Sequence, residues 1–184
     1  TIPHVELAVP EDSVRPYRGT FPARTINDPR TGYLGSDDAY AVYAGMISRL
    51  DRQVGEILDL LAELDIDRRT LVIFTSDNGP ERNTPGTAAP LSGTKHTVFE
   101  GGLRVPTMAR WPGVIEAGSE SDLPWAYYDF LPTAAELAGA ACPETDGISI
   151  VPELTGQGDQ EDHEFMYWEL RDEQSVRLGD YYAY

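Results

Sequence analysis

The sequence predicts one α/β domain organised on a buried strand of a parallel sheet. Three observations carry this. Apolar residues recur at helical spacing from Ala39 to Leu64. A short continuous apolar run, Leu71-Val-Ile-Phe74, follows and ends in Thr-Ser-Asp-Asn-Gly-Pro80. A second strand-like stretch, Val105-Pro-Thr-Met-Ala-Arg110, precedes another helical pattern through Leu131, Ala134, Ala135 and Leu137. An uninterrupted apolar run after a helix reads as a strand covered on both faces, with a ligand loop at its C-terminal edge.

The elements follow in order. Residues 5 to 36 form a long irregular segment, because Pro10, Pro16, Gly19, Pro22, Pro29, Gly32 and Gly35 interrupt every period. A loop that long inside a domain is usually functional or wraps a surface. Ser36 or Asp37 supplies an acceptor for the first helix. Its apolar face is Tyr43, Met46, Ile47, Leu50, Val54, Ile57, Leu58 and Leu61, opposite Arg49, Asp51, Arg52 and Glu56. Arg68-Arg69 closes the turn into the strand. Residues 79 to 95 are loop, and Pro106 suits the start or edge of the second strand. Asp129 caps the helix that Gly139 stops. Gly147 to Leu154 fits a loop and a helical turn, and Asp159 to Glu164 an exposed charged link. Phe165–Trp168 and Ser175–Leu178 read as strands, and Val176–Tyr184 as a hairpin cut short. The opening Thr1-Ile-Pro-His4 reads as an interior loop, so the chain is expected to be a fragment of a longer protein.

Charge narrows the function classes. The formal net charge is -17, with 31 acidic against 14 basic residues. Such a surface argues against nucleic acid and against anionic membrane as partners, while leaving room for a local cationic pocket. No stretch approaches the roughly 20 apolar residues of a membrane span. The single Cys142 forbids an internal disulfide.

The residues able to do chemistry are few. Asp77 and Asn78 offer hard oxygen ligands suited to Ca²⁺ or Mg²⁺, or else an Asp-Asn-Gly turn of the kind that ends many strands. Lys95 is the one Lys against thirteen Arg, on the Gly-rich stretch Leu91-Ser-Gly-Thr-Lys-His-Thr-Val-Phe-Glu-Gly-Gly-Leu-Arg. It reads as a point charge for an anion or as a solvated surface residue. His4 is a general acid or a bland surface imidazole. His96 is expected to be structural or exposed, pointing away from Lys95. Glu100 and Arg104 anchor the loop, and pair only if that stretch is helical, which Gly101-Gly102 opposes. Tyr127, Tyr128 and Trp168 are core or pocket wall. Cys142 has no histidine placed to activate it. The sequence contains no P-loop, dinucleotide motif, Cys/His metal cluster or Gly-x-Ser-x-Gly elbow.

Taken as an ordered series, Thr1-Ile-Pro-His4, Met46-Ile-Ser-Arg-Leu-Asp-Arg52, Leu71 to Pro80, Leu91-Ser-Gly-Thr-Lys95, Phe99-Glu-Gly-Gly-Leu-Arg-Val-Pro106, Arg110-Trp-Pro-Gly113 and Tyr128-Asp-Phe-Leu-Pro-Thr-Ala134 resemble the type I sulfatases. These form the arylsulfatase A-like branch of the alkaline phosphatase superfamily. The resemblance implies a sandwich with a mainly parallel central sheet flanked by helices, here truncated on its N-terminal side. It implies one partial catalytic domain over residues 1–184. Within it, 1–36 is an irregular segment near the active site, 37–139 a helix-strand core with ligand loops, and 140–184 the start of a C-terminal region. It implies hydrolysis of sulfate esters, on a sugar or an aryl alcohol, through a formylglycine nucleophile and calcium. Asp77 and Asn78 match calcium ligands, Lys95 matches the lysine that holds sulfate and the leaving group, and His4 matches the histidine near the leaving oxygen. The Cys/Ser-x-Pro-x-Arg motif that yields formylglycine is absent, so no nucleophile lies in this chain, and the chain alone is expected to be inactive. The alternatives are a phosphate-ester or phosphonate hydrolase of the same superfamily, or a non-catalytic binder of sulfated glycans. Asn78 favours the sulfate ester, since two-metal phosphate relatives carry Asp-His there. Periplasmic, secreted or lysosomal location is implied by the resemblance alone, and the oligomeric state is open.

Overall fold

Helix α2 spans Ala39–Glu63, where the apolar period predicts it. The computed structural model describes residues 2–27 and 32–184, so Thr1 of the opening tetrapeptide and Pro29 of the irregular segment lie outside the described residues. The chain divides into two compact units.

The first unit comprises Thr1–Asp65 and Ser76–Val105. Its core is Leu7, Val14, Ala39, Ala41, Val42 and Met46, with Ile2, Val9, Tyr17 and Ile26 packed against it. The short helix α1 (Glu11–Val14) lies so near α2 that a Cβ at Gly45 would sit 2.7 Å from the Ser13 carbonyl oxygen. The buried stripe of α2 is confined to its first two turns. Ile47, Ile57, Leu60 and Leu64, on or beside the predicted apolar face, are exposed. The cap also differs from expectation. Asp38 occupies the N-cap position with no side-chain cap bond, Ser36 Oγ accepts the Asp38 N–H at 3.0 Å, and the Arg24 carbonyl accepts the Ala39 N–H at 2.9 Å. A backbone bridge between Ile26 and Ser36 brings that carbonyl to the helix start. One turn of helix, α3 (Glu100–Leu103), forms despite its two glycines, with the Arg104 N–H bonded to the Glu100 carbonyl at 2.7 Å.

The second unit comprises Ile66–Thr75 and Pro106–Tyr184. Strand β1 (Val72–Thr75) pairs with β2 (Thr107–Arg110) in antiparallel register, Val72 opposite Arg110 and Thr75 opposite Thr107. The threonine hydroxyls of the last pair meet at 3.0 Å. Strands β3 (Met166–Leu170), β4 (Glu173–Leu178) and β5 (Tyr181–Ala183) form an antiparallel meander. Both of its hairpin turns use left-handed backbone, at Arg171 (φ 58°) and Gly179 (φ 55°). The chain is therefore α/β, but its sheets are antiparallel, and the expected mainly parallel central sheet is overturned. The reason is physical. A continuous apolar run specifies burial and says nothing of its neighbour's direction. All four β1 residues are only half-buried, and three of the four in β2 are exposed, which antiparallel sheets tolerate. The segment joining β1 to β2 carries loops and the single turn α3 instead of the long helical crossover a parallel pair requires.

Helix α4 (Phe130–Ala138) ends at Gly139, whose φ of 62° supplies the left-handed C-cap. Asp129 does more than precede it. The carboxylate is fully buried and accepts the Ala126 N–H at 2.7 Å, the Ile148 N–H at 2.8 Å and a bond to His163 Nε2 at 2.8 Å. His163, predicted in an exposed link, has a side chain only 12% exposed, with the Tyr128 ring edge-on at 5.4 Å. Thr133 extends the cluster, donating to the Asp129 carbonyl and accepting the Ile150 N–H just before α5 (Val151–Thr155). Removing the Asp129 carboxylate strands several donors at once, each worth about 1–3 kcal/mol when left unmade. Asp129→Ala is thus expected to lower stability by about 3 kcal/mol, read as a reduced urea midpoint at unchanged slope. A midpoint within error of the parent's would remove Asp129 as the organising group.

Candidate functional site

Five residues after β1 make the first part of the site. Ser76 Oγ donates to the Asn78 carbonyl at 2.9 Å, curling the chain as it leaves the strand. The Asn78 amide nitrogen donates to the Gly79 carbonyl at 2.9 Å, which leaves its Oδ1 with no partner among the described residues. Asp77 is exposed, and its carboxylate makes no hydrogen bond or ion pair among the described residues. Two unclaimed hard-oxygen groups, one of them a carboxylate, suit a calcium-sized cation in kind. They fall short in number, since calcium takes about six to eight oxygens. Among the described residues no group of three His, Cys, Asp or Glu side chains could hold a metal.

Lys95 reaches the same place through backbone. Its N–H donates to the Pro80 carbonyl at 2.9 Å, the residue directly after Gly79. The Gly79 N–H donates to the Gly102 carbonyl at 2.9 Å, and the Gly101 N–H to the Ser92 carbonyl at 2.7 Å. Three segments, 76–80, 92–97 and 100–103, are thereby tied into one clamp. Glycine is required by distance. A Cβ on Gly79 would lie 1.9 Å from the Gly101 oxygen, one on Gly101 2.5 Å from the Gly93 oxygen, and one on Gly102 2.5 Å from the Thr94 and Thr97 oxygens. The Thr94–Thr97 turn that carries Lys95 is closed by Thr97 Oγ1, which donates to the Thr94 carbonyl at 2.8 Å and accepts the Thr94 N–H at 3.2 Å.

The Lys95 side chain is half-buried and has no ion-pair partner among the described residues. The acid beside Pro80, Glu81, turns instead to His96, with Nε2 and Oε2 3.6 Å apart. His96 takes left-handed backbone (φ 68°) and its exposed ring faces Glu81. The ammonium therefore stays available as a point charge. His4 is placed differently. It is exposed, with its ring edge-on to Tyr33 at 5.5 Å, and no hydrogen bond or ion pair joins it to Asp77, Asn78 or Lys95 among the described residues. Backbone hydrogen bonds thus tie the segments that carry Asp77, Asn78 and Lys95 into one clamp, and His4 belongs to the same compact unit.

Sequence reasoning passed over Arg24. Its guanidinium lies over the Tyr40 ring at 5.4 Å from the centroid, donates to Tyr40 Oη at 3.0 Å and reaches the Asn83 carbonyl at 3.4 Å. No local pattern marks it, since Arg24 lies in the irregular segment and its partners are 16 and 59 residues away. Cys142 is exposed and unpaired, as a bystander would be.

The chain is similar to known proteins over most of its length. The family model described as Sulfatase matches residues 3–140. Human steryl-sulfatase is 38% identical over 139 residues, covering 70% of this chain and 24% of that protein. The chain thus spans about a quarter of the length of that relative. Among solved structures, Ps i-CgsB in complex with k-i-k-neocarrahexaose superposes with a TM-score of 0.80 at 26% identity, over 97% of this chain and 38% of the other. The phosphonate monoester hydrolase SpPMH from Silicibacter pomeroyi superposes at 0.58 with 27% identity, over 71% of this chain and 25% of the other.

Proposed function

The chain belongs to the sulfatase family, and from that membership we propose that it supplies part of the active site of a sulfuric-ester hydrolase. Asp77 and Asn78 are the residues that would hold calcium, through the carboxylate and Oδ1. Bound there, calcium supplies positive charge against sulfate oxygens. Lys95 sets its ammonium against the sulfate and the leaving oxygen, where negative charge grows as the S–O bond breaks. His4 is the general acid that protonates the departing alcohol. A formylglycine contributed by residues outside this chain is the nucleophile. The observation that supports the reading most is the Lys95 N–H to Pro80 carbonyl bond, because it joins the lone lysine to the loop of unclaimed oxygens.

An oligosaccharide sulfate ester is the favoured substrate, on the strength of the neocarrahexaose complex of Ps i-CgsB. The likeness to a phosphonate monoester hydrolase keeps phosphorus esters as the second reading. A catalytically complete polypeptide containing residues 1–184 decides between them. It is expected to hydrolyse sulfate esters with the higher kcat/KM, while residues 1–184 alone release no sulfate above blank. Faster turnover of phosphate or phosphonate esters would transfer the assignment to that branch. Turnover by the isolated chain would refute an external nucleophile.

A further inference from the structure

We propose that Arg24, Tyr40 and Phe21 form a subsite for an anionic sugar unit adjoining the one whose ester is cleaved. The inference rests on the sulfated-oligosaccharide reading above and deepens it. Phe21 is 41% exposed, stacks on Tyr17 at 6.4 Å and leans on Tyr40 at 6.3 Å. The exposed Phe21 ring, tilted 40° to that of Tyr40, offers an aromatic shelf of the kind that takes the C–H face of a sugar. Arg24 stands at its edge, pinned by Tyr40 Oη and the Asn83 carbonyl and by its own carbonyl on the start of α2.

The charge of Arg24 is the telling point. In a chain with 31 acidic residues against 14 basic ones, Arg24 has no carboxylate partner among the described residues. Arg18 shows the alternative at close quarters, since it takes both Glu11 and Asp38. A guanidinium held in place and left without a carboxylate among the described residues suits a sulfate or carboxylate on a ligand, through its forked donors.

The shelf connects to the clamp within the same unit. Asn83, whose carbonyl Arg24 reaches, lies three residues beyond Pro80 and holds left-handed backbone (φ 67°). Tyr43 is three residues from Tyr40 on α2 and so shares its face. A Cβ at Gly86 would meet both Tyr43 Oη at 3.2 Å and Pro80 Cβ at 3.1 Å. Arg24 bonds Tyr40, Tyr43 follows one turn along α2, and Gly86 lies close to both Tyr43 and Pro80, which accepts the Lys95 N–H. An oligosaccharide with its scissile ester at Lys95 has the shelf available for a neighbouring unit.

The experiment compares two substrates on a catalytically complete polypeptide containing residues 1–184. One is a small aryl monosulfate, the other a multiply sulfated oligosaccharide. Arg24→Ala is expected to raise KM for the oligosaccharide about tenfold, with kcat and both aryl-ester constants unchanged. Phe21→Ala, at an exposed position, is expected to raise the same KM by about threefold. Equal losses on both substrates would make Arg24 a brace for the Asn83 loop and overturn the proposal, as would no change on either. Should the parent cleave neither ester, the hydrolase reading fails on its own account. Titration of the same polypeptide with the sulfated oligosaccharide then decides the subsite. Binding that Arg24→Ala abolishes supports it, and binding that Arg24→Ala leaves intact overturns it.

Discussion

Replacing Gly79 with alanine is expected to lower the stability of the protein by about 4 kcal/mol, combining overpacking with a lost backbone hydrogen bond. The added methyl carbon would lie 1.9 Å from the Gly101 oxygen and 2.9 Å from the Gly101 carbonyl carbon, and both are backbone atoms. No side chain can swing aside to make room. Segment 76–80 must move off α3, and the Gly79 N–H loses the Gly102 carbonyl. At this chain length, about 4 kcal/mol corresponds to a fall in Tm of roughly 10 °C. Gly55, where a Cβ meets nothing within 4 Å, is the control. Gly55→Ala sits inside α2 and is expected to stabilise by about 0.5–1 kcal/mol through helix propensity. Calorimetry on the two variants gives the comparison. Equal melting temperatures would mean that the clamp yields easily and is not the scaffold of the site.

Lys95→Ala is expected to cut kcat of a catalytically complete polypeptide about 100- to 1,000-fold on sulfate esters, the range for losing one transition-state charge partner. Its cost to folding is expected to stay within about 0.5 kcal/mol, because the side chain makes no ion pair that the change would orphan. Activity and stability thus separate for Lys95, where Gly79→Ala loses both. Lys95→Arg is not expected to restore the rate, since a planar fork does not replace a compact point charge in a fitted loop. Stopped-time sulfate release with a parallel melt measures both quantities. Unchanged turnover in Lys95→Ala would strip the residue of its assigned role.

What the sequence made legible follows the range of each signal. The helix from Ala39, the apolar strand before Ser76, the stop at Gly139 and the terminal hairpin are local patterns, and each is present. Sheet direction was not local. The Leu71–Phe74 run said that a strand forms, and its antiparallel partner was fixed by residues 107–110 on the far side of a long connection. The same limit hid the role of Asp129. Its capping position is visible in sequence, but its bond to His163 spans 34 residues and turns an apparent surface link into a tether. The glycines of Phe99-Glu-Gly-Gly read as breakers of a helix. Their physical use is to let three backbones approach to hydrogen-bond distance, which no single-segment rule expresses. Lys95 stood out by rarity, and its tie to Pro80 agrees with that signal without having been foreseeable from it.

The tie points of the clamp are main-chain atoms of Gly79, Pro80, Ser92, Lys95, Gly101 and Gly102. Residues 82–91, strung between two of those points, bear none of that framework. Side-chain changes there leave those ties in place, Gly86 excepted, where a Cβ would meet Pro80 at 3.1 Å. The fold thus separates a framework made of main-chain ties and close-packed glycines from a connecting segment whose side chains lie outside those ties.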